Sequence, residues 1–403
     1  MLAVSWLAVG TVSMLGAAAP PLYEAQLIFD PAQTSHGHVH ASCIVVCPNG
    51  DLRAVWYENG IPLPPPYYGG DQDKSSDVRI GGSRKAAGAA QWDAPFVMAD
   101  TFGVSDNNPC MAIDQQQRLW LVFATLLGVP ENSWGSALVR YQVSSDYAGP
   151  GVPVWSKKDI LPVHLDSFEK VFEGVVDERA QKHGYSESQR RKSIERMAAR
   201  VKDPLKRRLG WMPRAHPLVK ADGTVVLPLA NENYSVAAMA MTRDTGKTWT
   251  ISGGVPVIGV IQPTLVEFLD GEMAAFFRNS RPEHRIVRSD SKDGGMTWSP
   301  VSLTELEHPG SGIEAVLLQN GHLLMIYNDK EDEPRDRLAV SISEDRGKSW
   351  PWKRHLENTP GQRFDYPSLL QAGDGTLHAT YTVNTKAIKY AHFNEAWVRE
   401  GNR

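Results

Sequence analysis

Cysteine is scarce, with three among 403 residues. Cys43 and Cys47 lie four apart in one strand-like stretch, and a rise of about 3.3 Å per residue separates them by roughly 13 Å, beyond disulfide reach. Three thiols cannot all pair, so a disulfide framework is not the source of stability. An excess of either charge is also lacking: 42 Lys+Arg face 46 Asp+Glu, for a formal net charge of −4. A chain without a polybasic face has no counterion-release term to gain on nucleic acid, so no nucleic acid is expected as a partner. Beyond the N-terminus no run approaches the ~18 apolar residues of a membrane-spanning helix, which argues against an integral membrane protein. The G-x-S-x-G, P-loop and Rossmann glycine patterns are missing as well, and no cofactor is expected.

Turn formers and tryptophan are plentiful, with 34 Gly, 27 Pro and 12 Trp. They point to short strands joined by tight turns. Residues 1–25 have the apolar run and the small-residue end of a signal peptide, with Ala17-Ala18-Ala19 before Pro20-Pro21. This predicts a secreted or periplasmic protein whose folded part spans 26–403.

Six segments then repeat one pattern, a polar residue followed by a hairpin. They open at His40, Asn108, His216, Gln262, Glu314 and Tyr366. Most turn through Asn-Gly or Asp-Gly, the strongest short hairpin signal. A second motif, S/T-x-D-x-G-x-S/T-W, ends at Trp249, Trp298 and Trp350, spaced 49 and 52 residues apart. That is one blade of a propeller, and its Asp is read as turn chemistry, not catalysis. The fold class expected is all-β: a six-bladed β-propeller with a helical insertion between blades. The insertion is placed at about 165–210, with Gly184 ending a first helix and Ser186–Gln189 forming a capping box before a second.

In a propeller the first strand of each blade lines the axis, so the six opening residues should form one ring around a cavity. Buried polar groups need partners, and six of them in phase are read as a site. Arginines cluster at strand ends near it: Arg214, Arg278, Arg281, Arg285, Arg335 and Arg337. A guanidinium offers a planar fork to a carboxylate. His36, His38 and His40 alternate along one strand face, but no third ligand is evident by spacing and no metal is expected.

The three Asp-boxes in phase with six hairpins resemble the sialidase superfamily, in particular bacterial proteins with BNR repeats. Asn108-Pro109-Cys110 and Phe364-Asp365-Tyr366-Pro367 resemble sialidase segments of the same order, the second carrying the nucleophilic tyrosine. The resemblance implies an exo-acting glycoside hydrolase that removes a terminal acidic, carboxylate-bearing sugar. It implies Tyr366 as nucleophile, with Glu314 taking its proton and His40 or a blade-one acid (Glu58, Asp71, Asp73 or Asp77) protonating the leaving group. Substrate binding falls to Arg278 or Arg281, Arg337, Arg214, His216, Asn108 and Gln262, and the partner is an acidic oligosaccharide or polysaccharide. The chain departs from the family where His40-Ala41-Ser42 replaces Arg-Ile-Pro, where Gln262 replaces a glutamate, and in the blade-one loop. Two other readings stand beside hydrolysis. One is a polysaccharide lyase or histidine-dependent glycosidase acting on uronate, with His40 or His216 as base. The other is a non-catalytic glycan-binding propeller.

Overall fold

The computed structural model describes residues 19–33, 37–61, 72–128, 134–279 and 281–401. His36, Asp71 and most of the expected leader lie outside them.

Among the described residues, six antiparallel sheets follow one another along the chain. Their innermost strands are Val39–Val46, Ser105–Ile113, the pair Trp211–Met212 and Leu218–Val219, then Val260–Glu267, Glu314–Leu317 and Phe364–Gln371. These define blades one to six. The second strand of each blade is buried on both faces along most of its length, and in blade two, Leu119–Leu126 (LWLVFATL), it reads as a nearly continuous apolar run. The turns behave as their sequences predict: Gly321 and Gly375 both sit at φ 85°, open only to a residue without Cβ strain. Blade two uses Gln117 at φ 58° in the same place, held by Asp114, which accepts from the backbone N–H of Gln116 and Arg118.

The sixth sheet is completed from the other end of the chain. Tyr23–Leu27 pairs antiparallel with Ala387–Phe393, closing the ring with the N-terminal strand. Residues 23–25, assigned from sequence to the leader, therefore belong to this sheet, whose strand begins two residues after Pro20-Pro21.

Each Asp-box locks its turn. Asp244, Asp293 and Asp345 accept from the hydroxyl and the backbone N–H of the Thr or Ser four residues on. The Thr248 hydroxyl and amide pull the Asp244 carboxyl down to about 2. The terminal tryptophans pack between blades: Trp249 lies edge-on to Tyr141 at 5.5 Å, and Trp350 to Phe276 at 6.3 Å. Trp298 is 8% exposed in the core between blades three and four. Trp298→Ala is expected to cost about 3–5 kcal/mol, measured by denaturant unfolding; a loss below 1 kcal/mol would mean that this contact does not hold the blades.

Between blades two and three the chain forms helices at Phe168–His183, Glu187–Val201 and Pro204–Arg208. Gly184 caps the first at φ 61°, and Ser186 with Gln189 makes a reciprocal capping box. Phe168, Val171 and Phe172 are buried against Trp211 and Tyr234, so the insertion is seated on blade three through an apolar face.

Candidate active site

Four innermost strands carry the same distortion. Register slips by one residue between His40 and Cys43, Asn107 and Cys110, Ile261 and Thr264, and Asp365 and Ser368. The residue thrown out at each bulge has positive φ: Ala41 (52°), Asn108 (48°), Gln262 (52°) and Tyr366 (47°). A left-handed conformation at a non-glycine residue costs of order 1–3 kcal/mol and clusters where side chains must be aimed. Asn108, Gln262 and Tyr366 are thus equivalent positions, and each stands directly before a proline. In blade one the equivalent is Ala41, and His40 stands one residue earlier, because Ala41-Ser42 lacks the proline that marks the phase. In blade three the innermost strand breaks instead. Trp211–Met212 and Leu218–Val219 both pair with Val225–Asn231, leaving Arg214 and His216 on the unpaired segment between them.

Tyr366 is the meeting point. Its hydroxyl accepts from Arg278 Nη1 at 2.9 Å and Gln262 Nε2 at 3.3 Å, and Arg278 Nη1 also donates to Gln262 Oε1 at 3.3 Å. Arg214, 2% exposed, lies with its guanidinium carbon 5.4 Å from the Tyr366 ring centre and donates to the Pro367 carbonyl. Nε of Arg278 and both Nε and Nη1 of Arg214 are buried without hydrogen-bond partners among the described residues. Buried guanidinium donors left open favour an anionic ligand. Next to Tyr366, the buried Asp365 binds Arg335 Nη1 at 2.7 Å and Arg363 Nε at 2.5 Å.

Blade one supplies the facing wall. The His40 ring is 4.4 Å from Tyr366, edge to face, and 5.7 Å from Tyr57. His38 lies 5.6 Å from His40, and its Nε2 is 2.9 Å from Asp73 Oδ1. Tyr57 donates to the same oxygen at 3.2 Å. Of the blade-one acids, Asp73 is the one brought to this cluster. Glu58 accepts from Trp56 Nε1 at 2.7 Å and Arg79 Nε at 3.1 Å, and Asp77 from Asn59 at 3.4 Å. Burial would raise the Asp73 carboxyl, but the hydrogen bond to His38 and the nearby imidazoles hold it below the ordinary range. Burial pushes His40 down to about 4. An unfolded histidine titrates near 6.5, so the native state loses stability as pH falls from about 6.5 toward 4. An NMR titration should show His40 still neutral at about pH 5.5; a midpoint near 6.5 would contradict its burial.

The structure places several of the expected residues away from the Tyr366 hydroxyl. Among the described residues, Glu314 makes no hydrogen bond to the Tyr366 hydroxyl. It is 1% exposed, and its oxygens accept from the His216 backbone N–H and Nδ1 and from the Leu369 N–H. His216 turns its other nitrogen to the Ile44 carbonyl at 2.6 Å, so it is not presented to the mouth as a base. Both residues line a cavity of about 490 Å³ among the later halves of the innermost strands, with Val46, Glu267 and Gln371. Arg281 lies 3.2 Å from Glu283, Arg285 pairs with Glu307 and Glu331, and Arg337 is exposed at the start of its strand. A third arginine near Tyr366 is Arg335, whose Nη1 pairs with Asp365 at 2.7 Å. The repeat pattern does not single out Tyr57, His38 as a partner of Asp73, or Glu232, whose carboxyl is raised by burial against the opposing charge of Arg278. Tyr57 had a legible signal, since it is the cross-strand partner of His40. All three cysteines are buried and free. Among the described residues no group of three His, Cys, Asp or Glu is placed to hold a metal, and no helix is long and apolar enough to cross a membrane.

Comparison with known proteins gives the fold a family setting. The BNR repeat-like domain matches residues 198–379. The sialidase of Clostridium perfringens is 28% identical over 161 residues, covering 36% of this chain and 42% of that protein. The sialidase of Paraclostridium sordellii is 28% identical over 208 residues, covering 46% and 51%. The chain thus spans about half the length of the curated relatives it matches. The solved structure of the Hadza microbial sialidase Hz136 superposes with a TM-score of 0.68 at 15% identity, over 93% of this chain and 69% of that one, a likeness of fold.

Proposed function

We propose that this protein, a BNR-repeat, sialidase-like six-bladed propeller, is an exo-acting glycosidase that removes a terminal acidic sugar from glycans, with Tyr366 as its nucleophile. The observation that carries the reading is the Tyr366 hydroxyl, accepting from Arg278 at 2.9 Å beside a second buried arginine, Arg214. The Arg278 guanidinium stabilises the charge that develops on the phenolic oxygen as it attacks the anomeric carbon. The open nitrogens of Arg214 and Arg278 receive the sugar carboxylate, a group that would repel a carboxylate nucleophile but not a phenol.

Proton transfers fall to blade one. His40, neutral above about pH 4, takes the phenolic proton as the C–O bond to Tyr366 forms. Asp73 protonates the leaving oxygen. An anionic sugar entering beside Asp73 and excluding water raises its carboxyl, which a general acid requires. Gln262, which cannot take a proton, orients the phenol. Water then cleaves the glycosyl–tyrosine bond with the roles reversed. The leader-like N-terminus supports action outside the cytoplasm.

A second reading is favoured by the same neutral His40: abstraction of the proton α to a uronate carboxylate held by the arginines, with elimination of the glycan. Incubation with acidic oligosaccharides separates the two. Release of a saturated sugar is the expected product. An unsaturated product absorbing in the ultraviolet would overturn hydrolysis, and tight binding without turnover would leave a glycan-binding propeller.

A further inference from the structure

The innermost strands of neighbouring blades do not pair with each other. Each presents an unpaired edge of backbone N–H and C=O groups to the axis, and in a closed centre these need partners. Side chains supply them. Glu314 of blade five accepts from the His216 N–H of blade three at 2.7 Å and from His216 Nδ1 at 2.8 Å, and its second oxygen accepts from the Leu369 N–H of blade six at 3.0 Å. His216 Nε2 reaches the Ile44 carbonyl of blade one at 2.6 Å. Cys43 Sγ, 3.3 Å from that same nitrogen, accepts from the Met111 N–H of blade two at 3.2 Å. Ser368 accepts from the Ile44 N–H at 3.3 Å and Thr264 of blade four from the Ala315 N–H at 3.1 Å. Every innermost strand is joined through this network, and Glu314–His216 is its centre.

The charge of that centre follows from the acceptors. A neutral imidazole has one N–H and one lone pair. Here Nε2 faces the Ile44 carbonyl at 2.6 Å, which cannot donate, with the Cys43 sulfur at 3.3 Å, while Nδ1 faces Glu314 Oε1 at 2.8 Å, and the two Glu314 oxygens already accept the His216 and Leu369 backbone N–H groups, as a carboxylate does. This geometry favours hydrogen on both nitrogens, an imidazolium at His216 beside a carboxylate at Glu314. Burial works against the cation, but the Cys43 sulfur and the Glu314 carboxylate outweigh it and raise His216 well above its ordinary value. Cys110 and Arg214 are the other titratable groups beside the pair.

The network ends at the nucleophile. Tyr366 sits in a strained bulge at φ 47°, and the residues after it are clamped in turn: Pro367 by Arg214, Ser368 against Ile44, and Leu369 by Glu314. We propose that Glu314 and His216 form a permanently charged carboxylate–imidazolium pin on the propeller axis that positions Tyr366 against Arg278 and exchanges no proton with the phenol. Its positioning role rests on the reading of Tyr366 as nucleophile; its charge does not.

Two measurements test it. In protein labelled with nitrogen-15 histidine, with the His216 signals assigned from the His216→Gln spectrum, both ring nitrogens should remain protonated from about pH 5.5 to about 8.5, across the ordinary histidine value near 6.5. A neutral ring, or a midpoint within that window, would overturn the pin. In Glu314→Gln, kcat should fall by about 10–100-fold with KM within about threefold, the scale of a misplaced reacting group, and the pH–rate profile should keep its shape. Loss or displacement of its basic-group limb would mean that Glu314 relays the proton, against the proposal. Should the variant fail to fold, the resonance experiment on the native protein decides alone. Should the native protein turn over no acidic glycan, the glycosidase reading falls while the charge of the pin is still read directly.

Discussion

Tyr366→Phe is expected to lower kcat on a terminal acidic glycoside by at least about 10³-fold, on the order of 4 kcal/mol of transition-state stabilisation. The variant removes one oxygen from a ring whose position is fixed by other contacts: the Arg214 guanidinium on its face, His40 at its edge and Gly312 beneath it, where an added Cβ would meet the ring at 3.0 Å. Folding should therefore survive, with little change in Tm, and an acidic sugar should still bind. This separation of binding from turnover marks a group that acts in the transition state and not in binding. Activity within about tenfold of the native protein would exclude Tyr366 from the chemistry.

Arg278→Met is the second large effect, an expected loss of about 10²–10³ in kcat/KM, or roughly 3–4 kcal/mol, as for removal of one donor to a developing oxyanion. Arg278 touches both Tyr366 and Gln262, so both kcat and KM should move. An uncharged substrate analogue lacking the carboxylate should lose less, because only the contact with the phenolic oxygen is then removed. Arg337→Met gives the contrast. Its side chain is exposed, and the activity of that variant should stay close to native; a comparable loss there would restore Arg337 to the site.

The residues explain which parts of this molecule could be read without coordinates. Hairpins turning through Asn320-Gly321 or Asp374-Gly375, and Asp-boxes such as Ser291–Trp298, are local: their hydrogen bonds span two to four residues, and their geometry is written in adjacent side chains. The phase of Asn108, Gln262 and Tyr366 was legible for the same reason, since each precedes proline at a bulge. In blade one the polar opening residue, His40, stands one residue out of phase, and Ala41 has no such marker. Closure of the ring by Tyr23–Leu27 joins residues about as far apart as the chain allows, and nothing local announces it. Glu314 shows the limit most clearly. A carboxylate in phase with a candidate nucleophile invites a proton-transfer role, yet its partner His216 is 98 residues away, and only the meeting of blades three, five and six shows that its donors are already assigned. Asp73 was distinguishable from Glu58 and Asp77 only once His38 and Tyr57 converged on it.

The central claim is that a covalent bond forms at Tyr366. The most direct measurement is peptide mass mapping of the native protein, quenched during reaction with a terminal acidic sugar that carries fluorine beside its anomeric carbon and an activated leaving group. The fluorine slows hydrolysis of the glycosyl–enzyme bond, so the sugar should be found on the peptide containing Tyr366 and be absent in Tyr366→Phe. Turnover of the natural glycoside with no adduct, or an adduct on any other residue, would contradict the account.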